Sequence, residues 1–335
     1  MLLSFKKNLF LITLVSGTFI AASSSSWFTC WLGLEINLMS LIPLVINKIN
    51  PSSTESGIKY FIAQAMASVI LIISATLVSM KAPTNSLSII FFLLTMSISI
   101  KIGAAPFHFW LPQVIQSSEW SQILIILTWQ KIAPMTLVML SSNSFFYLVI
   151  YSSCLVGVMG AINQTSFKKI MVYSSILHSA WMISLILCSE AVWWLYFLVY
   201  TIISSSIMFS LIVSPLNSLK QLYNSITSTD SSFLIFSNFF SLAGIPPMTG
   251  FFMKLISIMV MINLSVNLLT LIILILSSLL ALYFYIRLIF SASVISSNLL
   301  NMNFFLLKNF SSTYSILLVI SILGNISLPV FLFFA

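Results

Sequence analysis

Charged residues are scarce in this sequence. It contains 13 Lys and Arg and 5 Asp and Glu residues among 335, so 5% of the chain is charged, whereas a soluble globular domain carries roughly 25%. Hydrophobic residues make up 60% of the chain, and the mean hydropathy is +1.14. These values exclude a soluble domain and predict an integral membrane protein. The net charge of +8 comes from scattered basic residues, which argues against nucleic-acid binding.

Residues that bind redox cofactors are also scarce. Cys30, Cys154 and Cys188 lie far apart, without the spacing of an iron–sulfur motif or a disulfide framework. The 2 histidines are too few to ligate the two haems of a four-histidine cytochrome. No glycine-rich nucleotide-binding loop is present. We therefore expect no cofactor and no metal in this chain, and no redox chemistry of its own.

Long apolar runs dominate the sequence. A membrane-spanning helix needs ~20 residues, and the runs predict an all-α polytopic membrane protein with about eleven spans. They are too long for the strands of a membrane barrel and do not alternate apolar with polar residues. The predicted spans are 3–22, 26–46, 56–80, 86–110, 120–140, 144–161, 168–187, 190–213, 232–262, 266–290 and 313–334.

The basic residues near the ends of these spans favour one side of the membrane. The N-terminal side receives Lys6, Lys7, Lys48, Lys59, Lys168, Lys169, Lys220, Arg287 and Lys308. The other side receives Lys81. The positive-inside rule then places the N-terminus in the matrix or cytoplasm. After an odd number of spans, the C-terminus lies on the opposite side.

Prolines interrupt two of the predicted spans. A proline lacks its own N–H and clashes with the carbonyl group four residues earlier. Pro106 therefore frees the carbonyl of Ile102 in the fourth span. The prolines at 246–247 free the carbonyls of Leu242 and Ala243 in the ninth. Because a freed carbonyl inside a membrane needs water, a side chain or an ion, we expect both helices to break around a hydrated pocket.

The two breaks lie five spans apart, which predicts an inverted repeat within a single membrane domain. Because five is odd, a first half at about 1–140 and a second half at about 144–290 would be inverted relative to each other, with 313–334 as an appended helix. Interrupted spans at matching positions of two halves indicate the central site of a transporter. Pro134 also loosens the fifth span and frees the carbonyl of Gln130.

Four ionisable residues lie inside the predicted spans: Glu35, Lys101, Lys131 and Lys254. A charge at the bilayer centre costs roughly 3 kcal/mol on insertion scales, so such residues indicate function. The alternative for a lysine is snorkelling, in which the ammonium group reaches the interface from near a helix end. Lys101 and Lys131 lie about ten or more residues from the nearer span end, and Lys254 directly follows a break, so we favour a functional role for all three.

Glu35 fits two interpretations, a structural ion pair with a lysine or one member of a proton switch. Burial disfavours both charged forms, while an opposite charge restores them. Separating a buried pair therefore lets the lysine release its proton near neutral pH, as a proton relay requires. His178 is compatible equally with a relay member and with a hydrogen-bonded interior histidine. We expect His108 to be structural, at the interface among aromatic neighbours.

Several segments of the sequence resemble one family. They are WLGLEIN at 31–37, KIGAAPFHFW at 101–110, TWQKIAP at 128–134, NQT at 163–165, YSSI at 173–176 and LAGIPP at 242–247. In this order they are similar to the family of subunit 2 of mitochondrial NADH:ubiquinone oxidoreductase (respiratory complex I), in its short animal form. The resemblance covers nearly the whole chain.

The resemblance implies a multi-pass subunit of the mitochondrial inner membrane that takes part in proton translocation. Glu35 and Lys101 would form the ion pair of its polar axis, with Lys131 as the connecting lysine and Lys254 in the second broken helix. Other subunits would bind NADH, FMN, the iron–sulfur clusters and ubiquinone. The implied partners are the other membrane-arm subunits of complex I, including neighbouring antiporter-like subunits, and membrane lipids.

The sequence departs from the family pattern at two places. It reads GFFMKL at 250–255 where the family usually has GFLPKW, and Lys168 stands where an arginine is common.

Two alternatives to the complex I function remain. One is a stand-alone cation/proton antiporter of the same fold, and the other is a scaffold whose buried charges only hold helices together.

Overall fold

A computed structural model describes residues 2–46, 50–80, 87–213, 229–246 and 248–300. The last predicted span, the prediction for Pro247 and those for four lysines (48, 81, 220 and 308) lie outside these residues. The α-helices of the described part are α1 (Leu2–Ser23), α2 (Trp27–Val45), α3 (Pro51–Ser79), α4 (Leu87–Ile102), α5 (Trp110–Ser117), α6 (Trp120–Leu127), α7 (Ile132–Leu140), α8 (Phe146–Ile162), α9 (Phe167–Ile186), α10 (Glu190–Val213), α11 (Thr229–Ala243), α12 (Thr249–Asn263) and α13 (Leu268–Leu300).

Within the described residues, 6 helical segments are long and apolar enough to cross a membrane. They are Trp27–Val45, Pro51–Ser79, Trp120–Leu140, Phe167–Ile186, Glu190–Ile212 and Leu268–Leu288. Shorter apolar helices occupy Lys7–Ser23, Leu87–Ile102, Phe146–Ile162 and Thr249–Asn263. The expected helical membrane architecture is confirmed for this part of the chain, whereas the count of eleven spans stays a prediction.

Both expected helix breaks are present. The helix in the fourth predicted span ends at Ile102, where Gly103 takes the left-handed conformation with φ of 74°. The ninth predicted span is divided between α11 and α12, with Gly244 at φ of 81°. Glycine adopts this conformation without the steric penalty of a Cβ atom. Each glycine thus ends its helix a few residues before the proline that the sequence analysis identified.

The fifth predicted span is also interrupted. A single turn of 3₁₀-helix, Trp129–Lys131, separates α6 from α7, which confirms the loosening expected near Pro134. Caps fix the starts of neighbouring helices: Ser26 accepts a hydrogen bond from the Thr29 N–H at 3.2 Å before α2, and Asn50 and Ser53 form a capping box before α3. Such caps satisfy backbone N–H groups that have no partner within the helix.

The chain divides into two compact units. The first contains the described residues at 2–46, 50–80, 87–156 and 175–187, and its helices α1 and α2 pack closely at Gly17 and Gly33. A Cβ atom at Gly33 would lie 2.6 Å from the backbone nitrogen of Ala21, so only glycine permits this approach. Close packing at small residues is typical of membrane helices.

The second unit contains the described residues at 157–174, 188–213, 229–246 and 248–300. Aromatic rings contribute to its buried core: Phe239 stacks on Phe167 with ring centroids 6.1 Å apart and lies 5.9 Å from Tyr285. Trp193 and Phe197 stack at 5.8 Å. These offset and tilted pairs are the arrangements that aromatic rings prefer.

Candidate functional site

Lys101 and Lys131 line one small cavity in the first unit. Its volume is about 20 Å³, which is room for roughly one water molecule. Besides the two lysines, the polar residues that line it are Asn37, Tyr60, Gln64, Trp110 and Gln130. The cavity lies beside the first helix break, as the sequence analysis expected of a hydrated pocket.

Lys101 occupies the last turn of α4 and is 5% exposed. Side chains bind the carbonyl groups at this helix end. The Trp110 Nε1–H donates to the Ile100 carbonyl at 3.0 Å, and the Gln64 amide donates to the Lys101 carbonyl at 3.4 Å. The position of Pro106 predicted that the carbonyl of Ile102 would need such a donor. The donors reach carbonyls one and two residues earlier, because the chain already leaves the helix at Gly103.

Glu35 lies on α2 with a partly exposed side chain, and its charge acts on Lys101 through space. The direct ion pair implied by the family resemblance is not formed. Among the described residues, no carboxylate oxygen lies within 4.0 Å of the Lys101 ammonium group. The two groups are therefore close enough to interact electrostatically but are separated.

Lys131 ends the 3₁₀ turn and is 2% exposed. Its ammonium group donates a 2.8 Å hydrogen bond to the carbonyl of Ser175 on α9. His178 is buried on the same helix, one turn further along. Residues three apart on a helix are neighbours on its surface, so Lys131 contacts α9 on the side that carries His178.

Lys254 lies on α12 in the second unit and is 8% exposed. Its ammonium group donates to the carbonyl of Ala243 at 2.8 Å and to that of Leu242 at 3.4 Å. The prolines at 246–247 were predicted to free these two carbonyls. Their hydrogen-bond donor is the side chain of Lys254. The ammonium group points to the break, whereas snorkelling would require it to reach the interface.

His108 lies in the connection between α4 and α5 and is buried. Its ring is 4.3 Å from that of Phe109, and its imidazole interacts with the Pro106 carbonyl. The expected aromatic surroundings are present. Lys59, in contrast, forms an ion pair with Glu55 at 2.6 Å and is partly exposed, as expected for a lysine near a helix end.

Sequence reasoning missed the uncharged polar residues of the cavity, and two of them, Asn37 and Gln130, bind each other. The Gln130 amide donates a 2.8 Å hydrogen bond to the Asn37 side-chain oxygen. Both lie inside predicted spans, where an uncharged amide also loses hydration. That polarity is a signal that the sequence alone provides. Within the described part of the chain, no group of three or more His, Cys, Asp and Glu residues is placed to hold a metal ion.

Comparison with known proteins assigns the chain to a family. Residues 24–281 match the sequence profile described as NADH:quinone oxidoreductase/Mrp antiporter, transmembrane. The NADH-ubiquinone oxidoreductase chain 2 of Locusta migratoria is 40% identical over 87% of this chain and 86% of its own length. The chain belongs to the NADH-ubiquinone oxidoreductase chain 2 family. The resemblance in the sequence motifs is thereby confirmed.

Solved structures with low identity support the antiporter-like fold of this chain 2 family member. A chain of respiratory complex I from Thermus thermophilus superposes with a TM-score of 0.80 at 20% identity, and the match covers 97% of this chain and 80% of that one. A chain of the Mrp complex from Dietzia sp. gives a TM-score of 0.74 at 17% identity, covering 83% of this chain and 59% of the other. At these identities, the likeness concerns the fold alone.

Proposed function

We propose that this chain is an antiporter-like subunit of the membrane arm of respiratory complex I and takes part in proton translocation coupled to NADH oxidation and ubiquinone reduction. The observation that carries this proposal is the 40% identity to an NADH-ubiquinone oxidoreductase chain 2 over 87% of the chain. The buried lysines around a water-sized cavity support it with chemistry suited to moving protons.

The mechanism is an electrostatic relay in which the chain's own residues hold and pass protons. A charge or conformational signal changes the interaction between Glu35 and Lys101. Lys101 then passes a proton to Lys131, and the relay continues towards Lys254, with His178 as a further member. The separation of Glu35 from Lys101, together with their electrostatic interaction, suits a pair whose strength changes during the cycle.

The topology that we propose has eleven spans, with inverted halves at about 1–140 and 144–290 and an appended helix at 313–334. The N-terminus lies on the matrix side of the mitochondrial inner membrane. Other membrane-arm subunits, including antiporter-like neighbours, and membrane lipids contact the chain. NADH, FMN, iron–sulfur clusters and ubiquinone bind to other subunits, so this chain contributes to the oxidoreductase without redox chemistry of its own.

The decisive experiment combines assembly with pumping. The chain should migrate in blue-native electrophoresis with a complex that oxidises NADH, whereas a stand-alone cation/proton antiporter, the alternative that the family's Mrp members suggest, would migrate alone. In the assembled complex in vesicles, Lys101→Met or Lys131→Met should abolish proton pumping per NADH oxidised and should retain assembly. Unchanged pumping would support the scaffold alternative.

A further inference from the structure

We propose that the side-chain amides of Asn37 and Gln130 are positioning residues, which orient one water molecule for proton transfer between Lys101 and Lys131. This inference rests on the proposed proton-translocation function. All four side chains line the same cavity. Its volume of about 20 Å³ accommodates roughly one water molecule.

The hydrogen bond between the two amides decides which of their atoms remain available to a water molecule. The Gln130 N–H₂ group donates to the Asn37 oxygen at 2.8 Å. The Gln130 oxygen remains as an acceptor and the Asn37 N–H₂ group as a donor. A buried water typically makes about three hydrogen bonds. The Gln130 oxygen and the Asn37 N–H₂ group can supply those that the two lysines do not.

Proton transfer through such a water balances without any other reactant. The Lys101 ammonium gives a proton to the water oxygen, and the water gives one of its own protons to the neutral amine of Lys131. One N–H bond breaks at Lys101, one forms at Lys131, and the water is regenerated. The amides do not titrate near neutral pH, so they hold the water in line and do not carry the proton.

Gln122 shows what a purely structural amide looks like in the same part of the chain. It donates to the carbonyls of Leu44 and Val45 at 2.9 and 3.1 Å, and its oxygen accepts from the Glu119 backbone N–H at 2.9 Å. Two of these contacts join α6 to the end of α2, and the third caps the start of α6. Gln130 instead makes one hydrogen bond to a side chain and lies at the cavity. It is therefore placed to position a water molecule, whereas Gln122 stabilises helix packing.

The test measures the rate of proton pumping driven by NADH in vesicles that contain the assembled complex. Gln130→Leu and Asn37→Leu should each lower the pumping rate about tenfold, the factor that corresponds to one lost hydrogen bond. The double variant should pump no more slowly than the worse single variant, because both amides hold the same water. Wild-type pumping by an assembled Gln130→Leu complex would overturn the inference.

The pH dependence gives a second measurement, for use also where Gln130→Leu does not assemble. Gln130→Glu keeps the side-chain size but places a carboxylate beside both lysines. Because an opposite charge favours the ammonium form, the optimum of pumping should move to higher pH. The matched control, Gln113→Glu, is exposed outside the cavity and should keep the wild-type optimum.

An unchanged optimum in Gln130→Glu would overturn the positioning role. The two proposals fail differently. If Lys101→Met abolishes pumping while both Gln130 variants behave as wild type, only the amide inference is wrong. If Lys101→Met and Lys131→Met pump normally, the proposed relay itself is wrong, and the amide inference is wrong with it.

Discussion

The ammonium nitrogen of Lys254 lies 2.8 Å from the carbonyl oxygen of Ala243, the residue at which α11 ends. A longer bond of 3.4 Å reaches the carbonyl of Leu242. The last carbonyls of a helix have no backbone partner within it, and in a membrane they need one from elsewhere. One side chain therefore caps the second break and is a candidate proton carrier.

Lys254→Met should reduce the thermal stability of the assembled complex. It leaves two buried carbonyls without their donor, and each such group costs about 1–3 kcal/mol. Lys254→Gln keeps an N–H donor, so it should retain more stability while losing proton transfer. The control is Lys101→Met, since no hydrogen bond is seen from the Lys101 ammonium to a described residue. Equal melting temperatures for the two methionine variants would contradict the capping role.

Gly244→Ala should impair both stability and pumping. Its φ of 81° disfavours a residue with a side chain by about 1 kcal/mol, and the new Cβ would lie 3.0 Å from the Lys254 ammonium nitrogen. The matched change is Gly103→Ala, with φ of 74° and nearest side chains Leu111 and Trp110. Thermal melting should fall in both variants. Pumping measured per assembled complex should fall further in Gly244→Ala, because the new Cβ disturbs Lys254. A larger fall in Gly103→Ala would contradict the role of Lys254 in the relay.

Gly250→Ala should be the most disruptive single methyl addition in this region. The new Cβ would overlap the backbone carbonyl oxygen of Ser241, which cannot move without displacing α11. Overpacking of this kind typically costs about 1–3 kcal/mol. At Gly57 a Cβ would meet only the side chain of Ile46, so Gly57→Ala serves as the control. We expect reduced assembly in blue-native gels for the first variant and near-normal assembly for the second.

Trp110→Phe should weaken the first break by the loss of one hydrogen bond, about 1 kcal/mol. The indole donates to the Ile100 carbonyl at 3.0 Å, and its ring packs edge-on against Tyr60. Phenylalanine keeps the ring contact and removes the donor. Trp31→Phe is the control, because the Trp31 Nε1 has no hydrogen-bond partner among the described residues. The melting temperature should therefore fall in Trp110→Phe but not in Trp31→Phe.

Covalent geometry explains which features the sequence could predict. Proline removes a specific N–H, so the freed carbonyls of Leu242 and Ala243 follow from residue positions alone, and the structure gives them a donor. At the first break, the same rule predicted a freed carbonyl at Ile102. The left-handed Gly103 ends that helix earlier, and donors 10 and 37 residues away in sequence bind other carbonyls.

Distances across the fold could not be predicted in the same way. Gln130 and Asn37 are 93 residues apart in sequence, and no local periodicity relates their positions. Glu35 and Lys101 were expected to form an ion pair, but helix packing keeps their charged groups beyond 4.0 Å. Spacing along a helix identifies the residues that share a face, whereas contacts between helices depend on packing.

The 3₁₀ turn at Trp129–Lys131 has a geometric consequence for α7. A 3₁₀-helix advances about 120° and 2.0 Å per residue, whereas an α-helix advances about 100° and 1.5 Å. If these three residues rewound to α geometry, everything beyond them would rotate by about 60° and shift by about 1.5 Å along the axis. Lys131 ends this segment, so a small change in local helical winding would move its amine relative to the Ser175 carbonyl.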